Sequence, residues 1–145
     1  MKRRALISAL SFFTLFWAGS VLAVEVNYDF TLTGVSKTVT GESFNFTATG
    51  TMTWDDVSGN LSFQVTTSAG VSFTGEGILA AGSKGSFALT SFDSGFASGE
   101  AVFSGKFSKK NSKFNGKFYA ASPDRLGPAP GGFVFTTGTV KATEK

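Results

Sequence analysis

Hydrophobic and polar residues alternate with a period of two along most of the chain after residue 23. The first run places Val26, Tyr28 and Phe30 on one face, and Asn27 and Asp29 on the other. Successive side chains of a β-strand point to opposite faces, whereas a helical period of 3.6 would mix the two sets. The pattern therefore predicts a half-buried strand at the start of this region.

The same alternation recurs along the chain, and short segments rich in Gly, Asn or Asp separate the repeats. Such segments join neighbouring antiparallel strands in hairpins. We expect about eight sequential strands closed as a single antiparallel up-and-down β-barrel in an all-β fold, because closure removes exposed edges; a β-sandwich is the alternative. The later apolar positions that define these strands include Phe44, Phe46, Gly50, Trp54, Leu61, Phe63, Val71, Phe73, Phe87, Leu89, Phe103, Phe107, Phe114, Phe118, Phe133 and Phe135.

The alternation does not decide whether the apolar face points to a core or to lipid, because transmembrane barrels have the same period. Short predicted strands and a polar segment at residues 140–145 favour a water-soluble barrel. The fourteen phenylalanines after residue 23 are compatible with either arrangement. An outer-membrane barrel is the alternative.

Residues 1–23 have the pattern of a secretory signal peptide. Lys2, Arg3 and Arg4 precede an apolar run that ends at Ala23, a small residue suited to cleavage. A membrane anchor is the alternative, because the run is nearly long enough to span a bilayer. We expect residues 24–145 to form one exported domain, periplasmic or secreted, that is monomeric by default.

The chain contains no Cys and no His. It therefore has no disulfide, no lipid-modified cysteine, no thiol nucleophile and none of the usual imidazole bases or metal ligands. Asp55 and Asp56 are adjacent, but beside Gly59 and Asn60 they read as turn residues and not as a calcium site. We predict a protein that is neither an enzyme nor a lipoprotein, with no metal or cofactor.

Basic residues are concentrated near the C-terminus, with eight of them and only two acids from residue 105 onward. Five lysines crowd one predicted hairpin, which indicates either a surface for an anionic partner, such as a protein, a lipopolysaccharide or a phospholipid headgroup, or a hairpin kept soluble by its charge. Nucleic acid is not expected, given export and the inward alternation of the phenylalanines. The candidate binding residues are Lys106, Lys109, Lys110, Lys113, Lys117, Tyr119 and Arg125.

Residues 121–132 form the longest predicted connection and hold all three prolines of the chain. A connection of this length on a barrel is either functional or a stiff cover pre-set by proline. Tyr119, just before it, lies on the polar face of its strand and is either an exposed binding aromatic or a cover for one end of the barrel.

The segment Phe114-Asn115-Gly116-Lys117-Phe118-Tyr119, followed by Gly127-Pro128-Ala129-Pro130-Gly131-Gly132-Phe133, resembles the closing strands of the transferrin-binding protein B barrel domain. The resemblance covers about 20 residues, and residues 120–126 separate its two halves. It implies a small exported barrel that binds a protein or a haem-like ligand outside the cell. Haem held by a histidine does not apply to a chain without His.

Together these observations predict an exported, non-enzymatic β-barrel that binds a protein or a small apolar ligand. A carrier of apolar molecules needs a cavity, which fourteen phenylalanines could instead fill. The alternative is a small outer-membrane barrel or a structural envelope protein without a ligand.

Overall fold

A computed structural model describes residues 24–82, 85–95, 97–108, 112–123 and 132–145. Within these ranges eight antiparallel strands, in sequential order, close into a single barrel, which confirms the predicted fold. The described ranges hold no helix long and apolar enough to cross a membrane. The predicted signal peptide lies outside them. The strands are β1 (Glu25–Thr38), β2 (Ser43–Asp55), β3 (Asn60–Thr67), β4 (Ser72–Ala81), β5 (Ser86–Asp93), β6 (Ser98–Phe107), β7 (Lys113–Pro123) and β8 (Phe133–Glu144).

The barrel closes where β1 pairs with β8. Eleven residue pairs join the two strands, from Tyr28 opposite Glu144 to Thr38 opposite Val134. Gly34 and Gly138 face each other in this seam, and a Cβ atom on either would overlap the backbone of the opposite strand. The absence of side chains therefore allows the first and last strands to approach closely enough to complete the ladder.

The two ends of the barrel differ in how they are filled. We call the end at which β2 ends and β3 begins the plug end, because large aromatic side chains close it. The other end, at which β1 ends and β2 begins, is called the cavity end. The buried core between them is apolar and comprises Tyr28, Phe30, Leu32, Ala48, Met52, Trp54, Leu61, Phe63, Val65, Leu79, Ala88, Ala101, Phe103, Phe114, Phe118, Val140 and Ala142.

The prediction for the inward face of β5 was wrong. Phe87 and Leu89 were expected to face the core, but they point outward and are 54% and 53% exposed. Ser86, Ala88 and Thr90 point inward instead. Phenylalanines from other strands already fill this part of the lumen, so that β5 contributes mainly small side chains to the inner wall.

Phe133 and Phe135 in β8 were likewise expected to face inward, and they too point outward, with about half of each side chain exposed. Pairing with β1 and β7 fixes the register of β8, which turns Val140 and Ala142 to the core. A shift of one residue would reverse every side chain, and it would also break the contact of the paired glycines in the seam.

The last two strands are longer than the sequence pattern indicated. β7 continues through Pro123, and Ala121 pairs with Phe135 where the long connection was expected to begin. The polar segment at residues 140–145 forms the end of β8, up to Glu144, instead of a tail. Only residues 124–131 of the predicted connection lie outside the described residues.

A substitution in β2 tests the close approach of the strands. A Cβ atom on Gly50 would overlap the backbone carbonyl oxygen of Gln64 in β3. We expect Gly50→Ala to lower the free energy of unfolding by about 1–3 kcal/mol, as overpacking does elsewhere. Urea unfolding followed by circular dichroism measures the loss.

The matched control is Gly85→Ala, because the nearest atom to a Cβ there is 3.5 Å away, at the carbonyl oxygen of Gly105. That variant should unfold at nearly the same urea concentration as the parent. Equal stability of the Gly50 and Gly85 variants would contradict the strand spacing described above.

Candidate functional site

The plug end is closed by stacked aromatic rings. The rings of Trp54 and Phe107 lie 4.8 Å apart with an interplanar angle of 16°. The ring of Phe114 lies 5.0 Å from that of Phe107, and the ring of Tyr28 lies 6.1 Å from it. Aromatic pairs at such distances stabilise a fold beyond the area that they bury. This end of the lumen is therefore packed solid.

A cavity of about 260 Å³ occupies the lumen at the cavity end. Its size is just below the lower limit of about 300 Å³ typical of sites for drug-sized ligands, so it suits a small molecule. Aromatic rings form most of its wall and contact one another; Phe73, for example, lies 6.0 Å from Phe92 and 6.5 Å from Phe46. The phenylalanines that line it are Phe44, Phe46, Phe63, Phe73, Phe92, Phe103 and Phe118.

No charged side chain lines the cavity among the described residues. The polar groups in its wall are the hydroxyls of Ser36, Ser122 and Thr136. Ser36 and Thr136 are opposite each other in β1 and β8, and their hydroxyl oxygens are 2.7 Å apart. Sequence reasoning missed this site, although hydroxyl residues at inward positions of otherwise apolar strands are a usable signal for it.

The lysines predicted as binding residues lie on the outer wall. Lys106 in β6 is directly opposite Asn115 in β7, and Asn115 is opposite Lys141 in β8. Lys113 and Lys117 lie two residues from Asn115 on the same face, a distance of roughly 6–7 Å along the strand. We call these four residues, Lys106, Lys113, Lys117 and Lys141, the lysine cluster.

All four side chains of the lysine cluster are exposed, and none of them makes an ion pair with a described residue. Lys141 was not among the predicted binding residues, because its place beside Asn115 depends on the pairing of β7 with the second half of β8. Lys109, Lys110 and Arg125, which were also predicted as binding residues, lie outside the described residues.

Tyr119 points outward from the wall of the barrel and is 52% exposed. It therefore does not cover an end of the barrel. It ends a line of directly opposed apolar side chains on four strands, in which Ile78 faces Leu89, Leu89 faces Val102, and Val102 faces Tyr119. We call these four residues the outer apolar row; its Tyr119 lies two residues from Lys117 on the same face.

Asp55 is the last residue of β2, directly before the turn that was predicted to include it. Its side-chain oxygen accepts hydrogen bonds from the backbone N–H groups of Ser58, at 3.0 Å, and Val57, at 2.9 Å. The hydrogen bonds from Ser58, and then the one from Val57, lower the pKa of the Asp55 carboxyl group. Among the described residues there is no group of three acidic side chains able to hold a metal ion.

A comparison with known protein families and a search of curated proteins found no match for this chain. The resemblance to the transferrin-binding protein B barrel domain therefore stays a prediction. Of the segments that carry it, residues 114–119 lie in β7 and Phe133 begins β8.

Tyr28 provides a test of the packing at the plug end. Its burial, and then the negative charges of Glu144 and Asp56, raise the pKa of the phenol from 10.0 to about 12. The folded protein favours the protonated phenol, and this preference contributes to the free energy of unfolding. The contribution is complete below pH 10 and is lost as the pH rises towards about 12. We expect Tyr28→Phe to reduce the fall in unfolding free energy over that interval.

A second measurement reads the same group directly. The chain has two tyrosines, so Tyr119→Phe leaves Tyr28 as its sole phenol. The phenolate absorbance of that variant should rise near pH 12 while the fold persists. A rise centred at pH 10 in the folded protein would contradict the burial of Tyr28.

Proposed function

We propose that this protein binds a small, uncharged and largely apolar molecule in the lumen of its barrel, outside the cytoplasm, and that it catalyses no reaction. The observation that carries the proposal is the cavity of about 260 Å³ at one end of an otherwise filled barrel. Phe87, Phe133 and Phe135 point outward, and the phenylalanines that face the lumen leave this space. Its apolar wall favours hydrocarbon ligands, because binding removes apolar surface from water.

The chemistry of the wall supports binding without catalysis. The hydroxyls of Ser36, Ser122 and Thr136 are the only side-chain nucleophiles among the described residues that line the cavity. A hydroxyl nucleophile needs a neighbouring base, and no carboxylate, lysine or imidazole lines the cavity with them. Transport or storage of an intact molecule fits this wall better than turnover.

The residues on the outer face of the strands support a water-soluble barrel over an outer-membrane barrel. Outward positions in the middle of the wall carry Lys117 and Glu76, and those of β2 carry mainly threonine. A lysine at the centre of a bilayer costs about 2–4 kcal/mol in a transmembrane barrel. We therefore propose the periplasm or the exterior of the cell as the location, given the predicted signal peptide.

A cavity-filling substitution tests the proposal. The inward-facing Ala120 lines the cavity, and the ring of Ala120→Phe would occupy part of it. We expect this variant to bind the neutral fluorophore N-phenyl-1-naphthylamine at least about tenfold more weakly than the parent, which corresponds to about 1.4 kcal/mol. Fluorescence titration of the purified protein measures the affinity.

Two controls separate binding in the cavity from adsorption. Ala121→Phe adds the same ring to the next residue, whose side chain points away from the lumen, and should bind like the parent. The sulfonated analogue 8-anilinonaphthalene-1-sulfonate should bind much more weakly, because no charged group in the described wall would compensate its anion. Equal loss in both variants, or no binding by the parent, would reject a lumen site.

We infer a second function, attachment of the outer wall to anionic lipid headgroups. The lysine cluster beside the outer apolar row supports it. Basic and apolar side chains on one face are typical of surfaces that bind anionic membranes, where each lysine contributes about 1 kcal/mol. Glu100 borders the row on the side away from Lys117. The lysine side of the wall would therefore face the membrane.

The combined variant Lys106→Gln, Lys117→Gln, Lys141→Gln tests this function. Its affinity for phosphatidylglycerol vesicles, measured by sedimentation, should be at least about tenfold lower than that of the parent. Added salt should lower the affinity of the parent as well. Lys37→Gln, which removes an exposed lysine outside the cluster, should have a small effect. Unchanged binding by the combined variant would show that the cluster has no such role.

A further inference from the structure

The polar groups of the cavity lie together on one side of it. Ser36 in β1, Thr136 in β8 and Ser122 in β7 line the cavity from three neighbouring strands. Phe63 in β3 and Phe73 in β4 line it from strands that lie across the barrel. The hydroxyls of the described wall therefore all lie on one side of the cavity, among apolar neighbours such as Phe118 and Val134, and the opposite side is hydrocarbon.

The hydroxyl pair of Ser36 and Thr136 has one hydrogen that the contact between the two residues does not use. Each hydroxyl carries one hydrogen and can accept two hydrogen bonds. The contact of 2.7 Å between the two oxygens uses one hydrogen of the pair, whichever residue donates it. The other hydrogen finds no acceptor among the described residues, although Ser36 is only 2% exposed.

Ser36 is buried and Thr136 is half-buried, so a donor there that finds no partner loses much of its hydration without receiving a hydrogen bond in exchange. A ligand oxygen in the cavity would accept this hydrogen. The oxygen must be uncharged, because no cation in the described wall would balance a carboxylate or a phosphate.

We propose that the ligand has a hydrocarbon body and one neutral oxygen, a carbonyl or hydroxyl, which accepts a hydrogen bond from the Ser36 and Thr136 pair. This inference rests on the proposed function, because it assigns chemistry to the same cavity. It narrows the ligand from any apolar molecule to one with a polar end, bound with that end towards β1 and β8 and its body against the phenylalanines.

Two molecules of the same shape test the inference. In 2-isopropenylnaphthalene a methylene group replaces the carbonyl oxygen of 2-acetylnaphthalene, and both compounds are neutral. Their dissociation constants are measured for the parent protein and for the variant Ser36→Ala, Thr136→Val. The preference of the parent for the ketone over the alkene should exceed that of the variant by about threefold to tenfold, the range for one hydrogen bond.

Thr137→Val is the matched control, since it removes the hydroxyl of the next residue in β8, which is exposed on the outer wall. It should leave the preference unchanged. If both compounds bind the parent and the double variant with the same preference, the hydrogen bond is rejected while the lumen site stands. If neither compound binds the parent, the proposed function is rejected as well.

A spectroscopic measurement keeps the inference testable if the double variant does not fold. The carbonyl stretching band of 2-acetylnaphthalene bound to the parent should lie at lower frequency than the band of the ketone in hexane, because a hydrogen bond weakens the C=O bond. An unshifted band in the complex would overturn the proposal without any variant.

Discussion

The structure depends on the packing of aromatic side chains inside an eight-stranded barrel. The lumen of an eight-stranded barrel is only just wide enough for the side chains that point into it. Large inward residues on some strands therefore require small ones on others. Trp54, Phe107 and Phe114 fill the plug end with rings about 5 Å apart. At the other end some rings still contact each other across the lumen, as Phe46 and Phe118 do at 6.2 Å, but Ser36 and Thr136 contribute small side chains at inward positions and a space of about 260 Å³ remains. The cavity results from this unequal distribution.

The same packing determines what the outer wall presents. Because Ser86, Ala88 and Thr90 take the inward positions of β5, Phe87 and Leu89 point outward. Leu89 then joins side chains on β4, β6 and β7 to form the outer apolar row. The lysine cluster arises in a similar way, since the register of β7 and β8 brings Lys141 beside Asn115. The register of the strands therefore determines both which side chains fill the lumen and which side chains the outer surface carries.

Much of the fold could be predicted from the sequence, because alternation and turn residues are local signals. The strand order, the turns and the closed barrel follow from them. The register across the closing seam could not be predicted, because it depends on Gly34 and Gly138, which are about a hundred residues apart in sequence. For this reason the face of β8 was assigned wrongly, whereas the face of β5 depends on its pairing with β4 and β6 and on the phenylalanines that other strands place in the lumen. The candidate sites were predicted only in part. Three lysines of the lysine cluster were predicted from their clustering in the sequence. The cavity was not, because it depends on how much of the interior the side chains leave unfilled, and alternation carries no information on the filling of the interior.

The central claim is that side chains fill the lumen at one end and leave an apolar cavity of about 260 Å³ at the other. Xenon binds to apolar cavities that exclude water, which makes it a direct probe of this arrangement. A crystal of the protein under xenon pressure should show a xenon atom in the cavity lined by Phe46, Phe73 and Phe118, and none among Trp54, Phe107 and Phe114. Xenon at the plug end, or a cavity end filled by side chains with no xenon site, would contradict the account.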